Sequence, residues 1–514
     1  MIEAFFFSTL PALWHRLCAL TERSRAYALL RRVYQCLCKA ARESFLGALF
    51  MRQGARKPRT DGAFACALHR LGTRLHLAGA LDGRSLKKLD FSVLAGTLLL
   101  AMFLCPARLW NNRLALLLAL FLAGALLVLT AAGRRKLLSV RELGYGFALF
   151  MAASLCGLAS AHDLAEAVRV FAFYVTSFLL ALTLGAGLSD RAKLRRFLGF
   201  LYLAVVCTAV FAVYQRLTGV AVNSSQTDLA ANAGMPGRVY STFENPNNYA
   251  EFLVLLLPLS FAFTTMLQNK RARLGATALL ILPLAALAMT YSRSGWVSFA
   301  LAAAVLLFFC QKKMLPLLLL LALLALPLLP QTVFRRLLTI GSTSDSSNLY
   351  RVYIWRGTVG LLRRFGLTGV GFGPENFHPV YVLFCNGHAR EAQHAHMLWL
   401  ELWAEMGIAG LLSYAAFHFG LLRRAILAHR TATGGLRMTL AACAAALTGI
   451  CFSATVEHIW FYPRDMFAFF VLVGVTLAAV RIANAEHSSY INALRAHGGR
   501  SVMRPYTKWK GFAT

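Results

Sequence analysis

Charged residues are scarce in this sequence, and acidic residues are scarcest of all. Of the 514 residues only 14% are Asp, Glu, Lys or Arg, and 21 acidic residues stand against 53 basic ones. A soluble chain of this length normally forms two or three domains with far more surface charge. The scarcity excludes an ordinary soluble enzyme, and long apolar runs with a mean hydropathy of +0.59 predict a membrane protein.

Cysteine motifs are also absent. The 11 cysteines are scattered singly, mostly inside apolar runs, and no Cys-x-x-Cys or Cys/His spacing of a metal site occurs. This pattern argues against a disulfide framework and against a cysteine-bound metal. The chain opens without a basic segment or a small-residue cleavage site, so we expect the first transmembrane helix to direct insertion.

The formal net charge of +32 has two readings. In a soluble protein it would indicate nucleic acid, but no basic stretch here carries the interleaved aromatic residues of a nucleic-acid site. In a membrane protein, basic residues gather on cytoplasmic connections and contact anionic lipid headgroups. We therefore expect membrane lipids, and no nucleic acid, among the partners.

Twelve runs are apolar enough to cross about 30 Å of hydrocarbon as helices. Together they predict an all-α polytopic fold of about twelve transmembrane helices. The runs lie at 91–108, 114–132, 143–161, 167–188, 197–218, 247–267, 274–291, 296–311, 314–330, 395–422, 438–456 and 466–482.

Basic connections alternate along the chain with connections poor in Lys and Arg. The basic ones are 134–136, 191–196, 270–273, 312–313 and 423–437. With twelve spans, all five fall on one side of the membrane together with both basic termini. Because Lys and Arg concentrate on cytoplasmic loops, we predict a multi-pass cytoplasmic (inner) membrane protein with both termini in the cytoplasm.

Residues 91–482 form the predicted transmembrane domain, between a basic extension at 1–90 and a basic cytoplasmic tail at 483–514. The extension holds 16 Lys and Arg against 6 Asp and Glu. Its stretches at 24–51 and 64–81 alternate apolar and basic residues at helical spacing, which is typical of helices that lie on an anionic membrane surface. The alternative is a basic tail without stable structure.

Two outer connections, 219–246 and 331–394, are much longer than the rest. Loops longer than about 12–15 residues are usually functional or disordered. The second, between predicted helices 9 and 10, carries an aromatic stretch and glycines at 369, 371 and 373, so we expect a large extracytoplasmic loop folded on the membrane surface. No strand of a βαβ unit precedes these glycines, which therefore indicate tight turns rather than a dinucleotide motif.

Several arginines fall on the predicted outer side, where this residue is unusual. Arg238 lies just before a transmembrane run, and Arg293 sits in a connection too short to leave the membrane surface. A charge held there is costly without a partner, and guanidinium suits bidentate contact with phosphate. Arg351 and Arg356 in the long loop are secondary candidates. The alternative for Arg238 is an interfacial side chain that reaches to water.

Two histidines precede the helix that enters the membrane after the long loop. His394 and His396 are two positions apart and do not share a helix face, so we expect no joint metal site. His396 is a candidate general base, and Glu405 further along the helix is a candidate for substrate contact. The alternative for a single histidine at a helix start is a capped or water-bonded side chain.

Taken together, Arg238, Arg293 and His396 predict a diphosphate site on the non-cytoplasmic face. The arginines would neutralise charge that develops on a phosphate leaving group, and the histidine would accept a proton from an attacking hydroxyl. The remaining substrate-binding candidates are polar residues of the same outer segments. They are Asn245 and Asn247 of the Asn-Pro-Asn turn, His394, Arg351, Arg356 and Glu405.

Between about residues 220 and 480 the chain resembles the O-antigen ligase and O-antigen polymerase family of bacterial membrane glycosyltransferases. The resemblance rests on segments 237–247 and 369–377, on the Ser-Arg-Ser-Gly turn at 292–295 and on the His396 segment. In the family ligases a small polar residue follows the histidine, and Gly-x-x-Gly comes after nine more residues. His396, Gly407 and Gly410 match that spacing, whereas Met397 replaces the polar residue.

The resemblance implies a GT-C-like helical bundle that uses a glycan on undecaprenyl diphosphate. It implies inverting transfer to an acceptor hydroxyl, without metal, nucleotide or other cofactor. Arg238 and Arg293 would hold the diphosphate, and His396 would be the essential histidine. The extension at 1–90 falls outside the resemblance.

The acceptor stays open within this prediction. If the acceptor is another lipid-linked glycan, the protein is a polymerase, and if it is lipid A core, the protein is a ligase of lipopolysaccharide. A protein or cell-wall polymer is the third possible acceptor. A transporter or flippase of lipid-linked saccharides is the alternative from another class. Transporters place ionisable groups near the membrane midplane, whereas the polar residues here cluster at one boundary and no internal repeat is visible.

Overall fold

The structure is a computed structural model that describes residues 90–131, 138, 140–222, 234–243, 245–311, 313, 315–316, 320, 324, 330–341 and 345–496. The amphipathic helices predicted within 1–89, most of the span predicted at 314–330 and the last part of the basic tail lie outside these residues. The described residues before 307 and from 330 onward belong to one compact unit, and those of 307–329 belong to a second one.

All regular structure in the described residues is helical, with no strand among them, which confirms the all-α prediction. The helices are α1 Phe91–Leu104, α2 Asn112–Ala131, α3 Val140–Leu143, α4 Tyr145–Ala153, α5 Cys156–Ala159, α6 Leu164–Gly187, α7 Arg191–Thr218, α8 Pro246–Thr265, α9 Lys270–Leu279, α10 Ile281–Met289, α11 Arg293–Gln311, α12 Gln331–Leu338, α13 Ser346–Phe365, α14 Pro374–Tyr381, α15 Leu398–Thr431, α16 Gly434–Ser453 and α17 Pro463–Ala496.

Eight helical segments in the described chain are long and apolar enough to cross a membrane. They are α6, α7, α8, α9 with α10, α11, α15, α16 and the first 30 residues of α17. Three shorter apolar helical segments, at Phe91–Leu104, Asn112–Val128 and Tyr145–Ala159, lie where three further spans were predicted. The total of twelve stays a prediction, as does the assignment of residues 331–394 to an outer loop.

Helices α17 and α8 form the interior of the bundle. In their most apolar stretches 94% and 83% of residues are buried, against 22% in the α9–α10 segment. Helix α17 packs along α6 and α15, and α8 packs along α16 and α7. The exposed apolar side chains of the outer helices would therefore face lipid, where a helix keeps its backbone hydrogen bonds satisfied internally.

The connections gather at two opposite ends of the bundle. At the start of α7, Arg191 forms an ion pair with Glu486 (2.6 Å) and donates to the Thr433 carbonyl. Near the other end of α7, Gln215 donates to the Ser241 carbonyl at 3.0 Å. The contacts of Arg191 mark a basic end of the bundle, and the contact of Gln215 marks the opposite end, which carries residues 234–243 and Asn245. Helix α7 has 28 residues, so the two ends lie about 42 Å apart at 1.5 Å per residue.

Helix α15 is interrupted at Gly407, whose backbone is non-helical with φ of 66°. The carbonyls of Ala404 and Glu405 accept hydrogen bonds from Val370 and Gly371 at 2.7 and 3.1 Å. The break thus lets the glycine-rich loop after α13 dock on the helix. The positive φ at the break explains why glycine occupies position 407, the first glycine of the Gly-x-x-Gly pattern.

We predict that Gly407→Ala destabilises the protein by about 1–3 kcal/mol, because a side chain in this backbone region is strained. A Cβ there would also lie 2.2 Å from the Leu367 carbonyl oxygen. The measurement is thermal unfolding of the purified protein in detergent. Gly420→Ala is the matched control, since Gly420 is on the same helix and its Cβ would meet nothing within 4 Å. Equal unfolding temperatures for the two variants would contradict the prediction.

Candidate functional site

A cavity of about 910 Å³ opens at the end of the bundle opposite Arg191. Its walls come from segments far apart in the sequence: the 238–251 region, the start of α11, the α12–α13 region, the turn before α15 and the α16–α17 connection. The ionisable side chains that line it are Arg238, Arg293, Arg336, Arg351, His394, His396, His458, Glu251 and Glu457.

Seven of the nine predicted site residues line this cavity. They are Arg238, Asn245, Asn247, Arg293, Arg351, His394 and His396. The structure places the other two elsewhere. Arg356 is exposed on α13, and Glu405 is buried in α15, where it accepts from the Gly373 amide at 3.0 Å and contacts the Tyr174 hydroxyl. Glu405 therefore anchors the glycine-rich loop.

Arg293 and Arg336 share one buried carboxylate, that of Asp345. Arg293 places both terminal nitrogens 3.0 and 3.1 Å from the two Asp345 oxygens, and Arg336 donates to the same carboxylate at 3.3 Å. Asp345 is fully buried and also caps the N-terminus of α13. A single carboxylate thus fixes two guanidinium groups at the cavity wall and joins α11, α12 and α13.

Two neutral oxygen atoms accept hydrogen bonds from Arg238. Its Nε donates to the Thr290 carbonyl at 2.7 Å, and one terminal nitrogen donates to the Asn247 side chain at 2.6 Å. Burial, and then the charge of Arg336, lower the pKa of Arg238 to about 9, so the guanidinium stays positively charged at neutral pH. An anion in the cavity would offset the cost of burying this charge.

Arg351 and Asn247 converge on Glu457. The Arg351 guanidinium lies 2.5 Å from one Glu457 oxygen, and the Asn247 amide donates to the same oxygen at 3.2 Å. Glu457 lies four residues after the end of α16, so it ties the wall formed by α13 to the α16–α17 connection. Arg351, unlike Arg356 one and a half turns later, faces the cavity.

His396 occupies a left-handed backbone conformation, with φ of 49°. Its ring lies edge-on to Tyr350, and its Nδ1 is buried without a hydrogen-bond partner in the described chain. Burial, and then the charge of Arg351, lower the pKa of His396 to about 3. The imidazole is therefore neutral at physiological pH, which is the form that accepts a proton.

Besides Glu251 inside α8, three acidic or basic cavity residues were not predicted from the sequence: Arg336, Glu457 and His458. Their sequence signal was that each is an ionisable residue in an outer connection next to an apolar run, where such residues are rare. Arg336 is only 4% exposed although it lies in a short helix with a basic neighbour, Arg335. Which of the two arginines faces inward depends on the packing of α12, which the sequence pattern does not show.

Among the described residues, one group has the composition of a metal site. Donor atoms of His394, Glu401 and His458 all lie within 4.8 Å of one another. Two histidines and a carboxylate match sites for zinc or iron. Zinc lies about 2.0–2.2 Å from each of its nitrogen and oxygen ligands. Donor atoms as far as 4.8 Å apart would have to move closer together to share one ion. The expectation of a metal-independent site stays a prediction.

The fold and the cavity define a class: a helical membrane protein with a basic, partly enclosed site beside neutral histidines. Guanidinium groups bind phosphate by paired hydrogen bonds, and a neutral imidazole can accept a proton. This arrangement fits phosphate-group binding combined with acid–base chemistry, and it does not require a polar pathway through the centre of the bundle.

Part of the chain matches a known protein family. Residues 252–415 match the family model described as O-antigen ligase. The match confirms the predicted resemblance: residues 252–415, about a third of the chain, are similar to O-antigen ligases. Together with the apolar helices, it supports a multi-pass inner-membrane protein of surface polysaccharide biosynthesis.

Two further comparisons add little. A chain from the solved structure of a peptidoglycan synthase complex aligns with a TM-score of 0.40 and 17% identity, over 66% of this chain and 96% of that one. A search of curated proteins gave no match.

We predict that Asp345→Ala costs about 3–5 kcal/mol of stability, because it leaves two buried guanidinium groups without their carboxylate. Asp190→Ala is the matched control. Asp190 also caps a helix, α7, and its ion pair with Lys193 is half exposed, so its loss should cost about 0.5–2 kcal/mol. Chemical or thermal unfolding in detergent measures both, and similar losses would contradict the prediction.

Proposed function

We propose that this protein transfers a glycan from undecaprenyl diphosphate to an acceptor hydroxyl on the extracytoplasmic face of the inner membrane. The observation that carries the proposal is a single cavity lined by four arginines and by His396. The match to the O-antigen ligase family over residues 252–415 supports glycan transfer as the class of reaction.

The arginines suit a diphosphate because they approach the cavity from different elements. Arg238 precedes α8, Arg293 starts α11, Arg336 ends α12 and Arg351 lies on α13. Two phosphate groups present several oxygens in different directions, so a set of separated guanidinium groups can contact both. Asp345 and Glu457 hold three of these side chains in place before the donor arrives, which reduces the ordering cost of binding.

The proposed reaction is a single displacement. The acceptor oxygen attacks the anomeric carbon as its proton passes to a ring nitrogen of His396. The bond between that carbon and the phosphate oxygen breaks, and undecaprenyl diphosphate leaves with the bonding electron pair. The arginines stabilise the charge that forms on the leaving group. Attack opposite to the departing phosphate inverts the anomeric configuration, and no metal takes part in these steps.

The distribution of basic residues supports the proposed membrane side. Arg191 and the basic 423–437 connection lie at the end of the bundle opposite the cavity. Since Lys and Arg concentrate in the cytoplasm, we assign that end to the cytoplasm and the cavity to the outer leaflet. A lipid-linked glycan would present its diphosphate at this height, with the polyprenyl chain among the bundle helices and lipid.

His396→Ala and Arg293→Ala are expected to lower glycan transfer by at least about 100-fold, since each removes a group that acts on the reacting bond. The assay supplies undecaprenyl-diphosphate-linked glycan to the reconstituted protein and follows the product by mass. Arg356→Ala is the matched control, because Arg356 lies on α13 near Arg351 but is exposed outside the cavity. It should keep transfer close to that of the unmodified protein.

Transfer by the His396→Ala variant at the unmodified rate would remove the proposed catalytic site. If the reconstituted protein moves lipid-linked saccharide across the vesicle membrane without changing its covalent structure, the protein is a flippase and not a transferase. The glycans that accumulate on the lipid when the protein is absent identify the acceptor class, because single units indicate a polymerase and full chains a ligase.

The pH dependence should also be unusual. His396 accepts a proton only when neutral, and its pKa is lowered from 6.5 to about 3. The acid-side fall of kcat/KM, which reports the free enzyme, is therefore expected well below pH 6.5, provided that the protein is stable there. A profile that falls through pH 6.5 and is unchanged by mutation of Arg351 would contradict this assignment.

A further inference from the structure

We infer that His394 is a positioning residue that sets the backbone conformation, and hence the ring direction, of His396. The inference rests on the proposed function, in which His396 is the proton acceptor. It assigns to His394 a role through its Nδ1 lone pair, in place of the direct substrate contact that the sequence predicted.

The conformation of His396 requires a restraint. Three non-glycine residues of the described chain have positive φ: Ser241, Tyr291 and His396. They lie in three of the connections that build the cavity. Residues with a Cβ rarely adopt this conformation, and such strain persists only where the surrounding structure holds it. The strain at His396 therefore points to neighbours that hold its backbone.

Hydrogen bonds to successive amides identify those neighbours. The His396 amide donates to the Nδ1 of His394 at 3.1 Å. The preceding amide, of Ala395, donates to the Glu401 carboxylate at 2.5 Å. After the turn, the Leu398 amide donates to the Ala454 carbonyl at 3.0 Å. The His396 amide is thus bonded to a side chain, so a point mutation can remove its acceptor while the backbone around it is left intact.

The His394 ring is itself fixed. It packs against Phe461 with ring centroids 4.3 Å apart, against the His396 ring at 4.0 Å and against His458 at 5.3 Å. Its Nδ1 therefore has one direction, toward the His396 amide. Burial, followed by unfavourable interaction of a protonated His394 with His396, His458 and Arg351, holds the pKa of His394 well below its usual range, so the Nδ1 lone pair stays free to accept.

This bond also sets the tautomer of His394. Because Nδ1 accepts a hydrogen bond, the proton of the neutral ring is on Nε2. A metal bound through Nε2 would need that proton on Nδ1, where it would point at the His396 amide hydrogen. Positioning of His396 and Nε2 ligation of a metal with Glu401 and His458 are therefore mutually exclusive, and an experiment can separate them.

Three substitutions at His394 distinguish the loss of the hydrogen-bond acceptor Nδ1 from the loss of the aromatic ring. His394→Asn replaces Nδ1 with an amide oxygen that can accept from the backbone two residues later, as asparagine does in turns. His394→Phe keeps an aromatic ring for Phe461 but offers no acceptor. His394→Ala removes both. We expect kcat to fall on the order of 100-fold in the Phe and Ala variants, because a misplacement of about 1 Å costs a factor of this size. KM for the lipid-linked donor should stay nearly unchanged. The Asn variant should recover most of kcat.

The reference measurement is His396→Ala in the same reconstituted assay. If that variant transfers glycan normally, the proposed function fails and this inference fails with it. If His396→Ala is inactive while His394→Phe keeps kcat, only the positioning role is wrong. If His394→Asn is as impaired as His394→Ala, the acceptor is not what matters and the inference is overturned.

Two controls complete the test. Thermal unfolding is recorded for each variant, and if the Phe variant does not fold, the Ala and Asn variants still compare a site without an acceptor with one that has it. The unmodified protein is assayed with excess EDTA and again with added Zn²⁺. Unchanged kcat in EDTA agrees with the positioning role, whereas loss of activity that Zn²⁺ restores would overturn it in favour of ligation.

Discussion

The geometry of the cavity depends on the buried carboxylate of Asp345. The buried guanidinium groups of Arg293 and Arg336 would repel each other if no anion lay between them. Asp345 supplies that anion from the N-terminus of α13 and so brings three helices to one point. The desolvation cost of such a cluster is high, which suggests that it is kept for the arrangement it imposes rather than for stability alone.

The same principle extends around the cavity wall. Arg351 is held by Glu457, and Arg238 by a backbone carbonyl and Asn247. These partners orient the guanidinium groups before an anionic ligand enters. Preorganised charge of this kind stabilises a leaving group without reorganisation during the reaction.

The sequence predicted the helical membrane class, the location of the long apolar segments and seven residues of the cavity. These features follow from hydropathy and from the placement of arginines on the side poor in basic residues. Arg336 could not be separated from Arg335, because which one faces inward depends on how α12 packs. Glu405 was expected near substrate, yet it supports the glycine-rich loop, since the break at Gly407 that turns the helix toward that loop is a tertiary feature. The contact between His394 and His396 depends on a positive φ angle, which hydrophobic periodicity does not reveal.

The break in α15 also has a consequence for the height of the site in the bilayer. The part of α15 from residue 408 to 431 would extend about 36 Å at 1.5 Å per residue, enough to cross a hydrocarbon layer of about 30 Å unaided. The turns before Gly407 are then not needed for the crossing, and they would place His396 beyond the apolar layer. Bilayer thickness would therefore set the vertical match between this histidine and a lipid headgroup, so membranes of different acyl-chain length should present the same donor to the same protein at different depths.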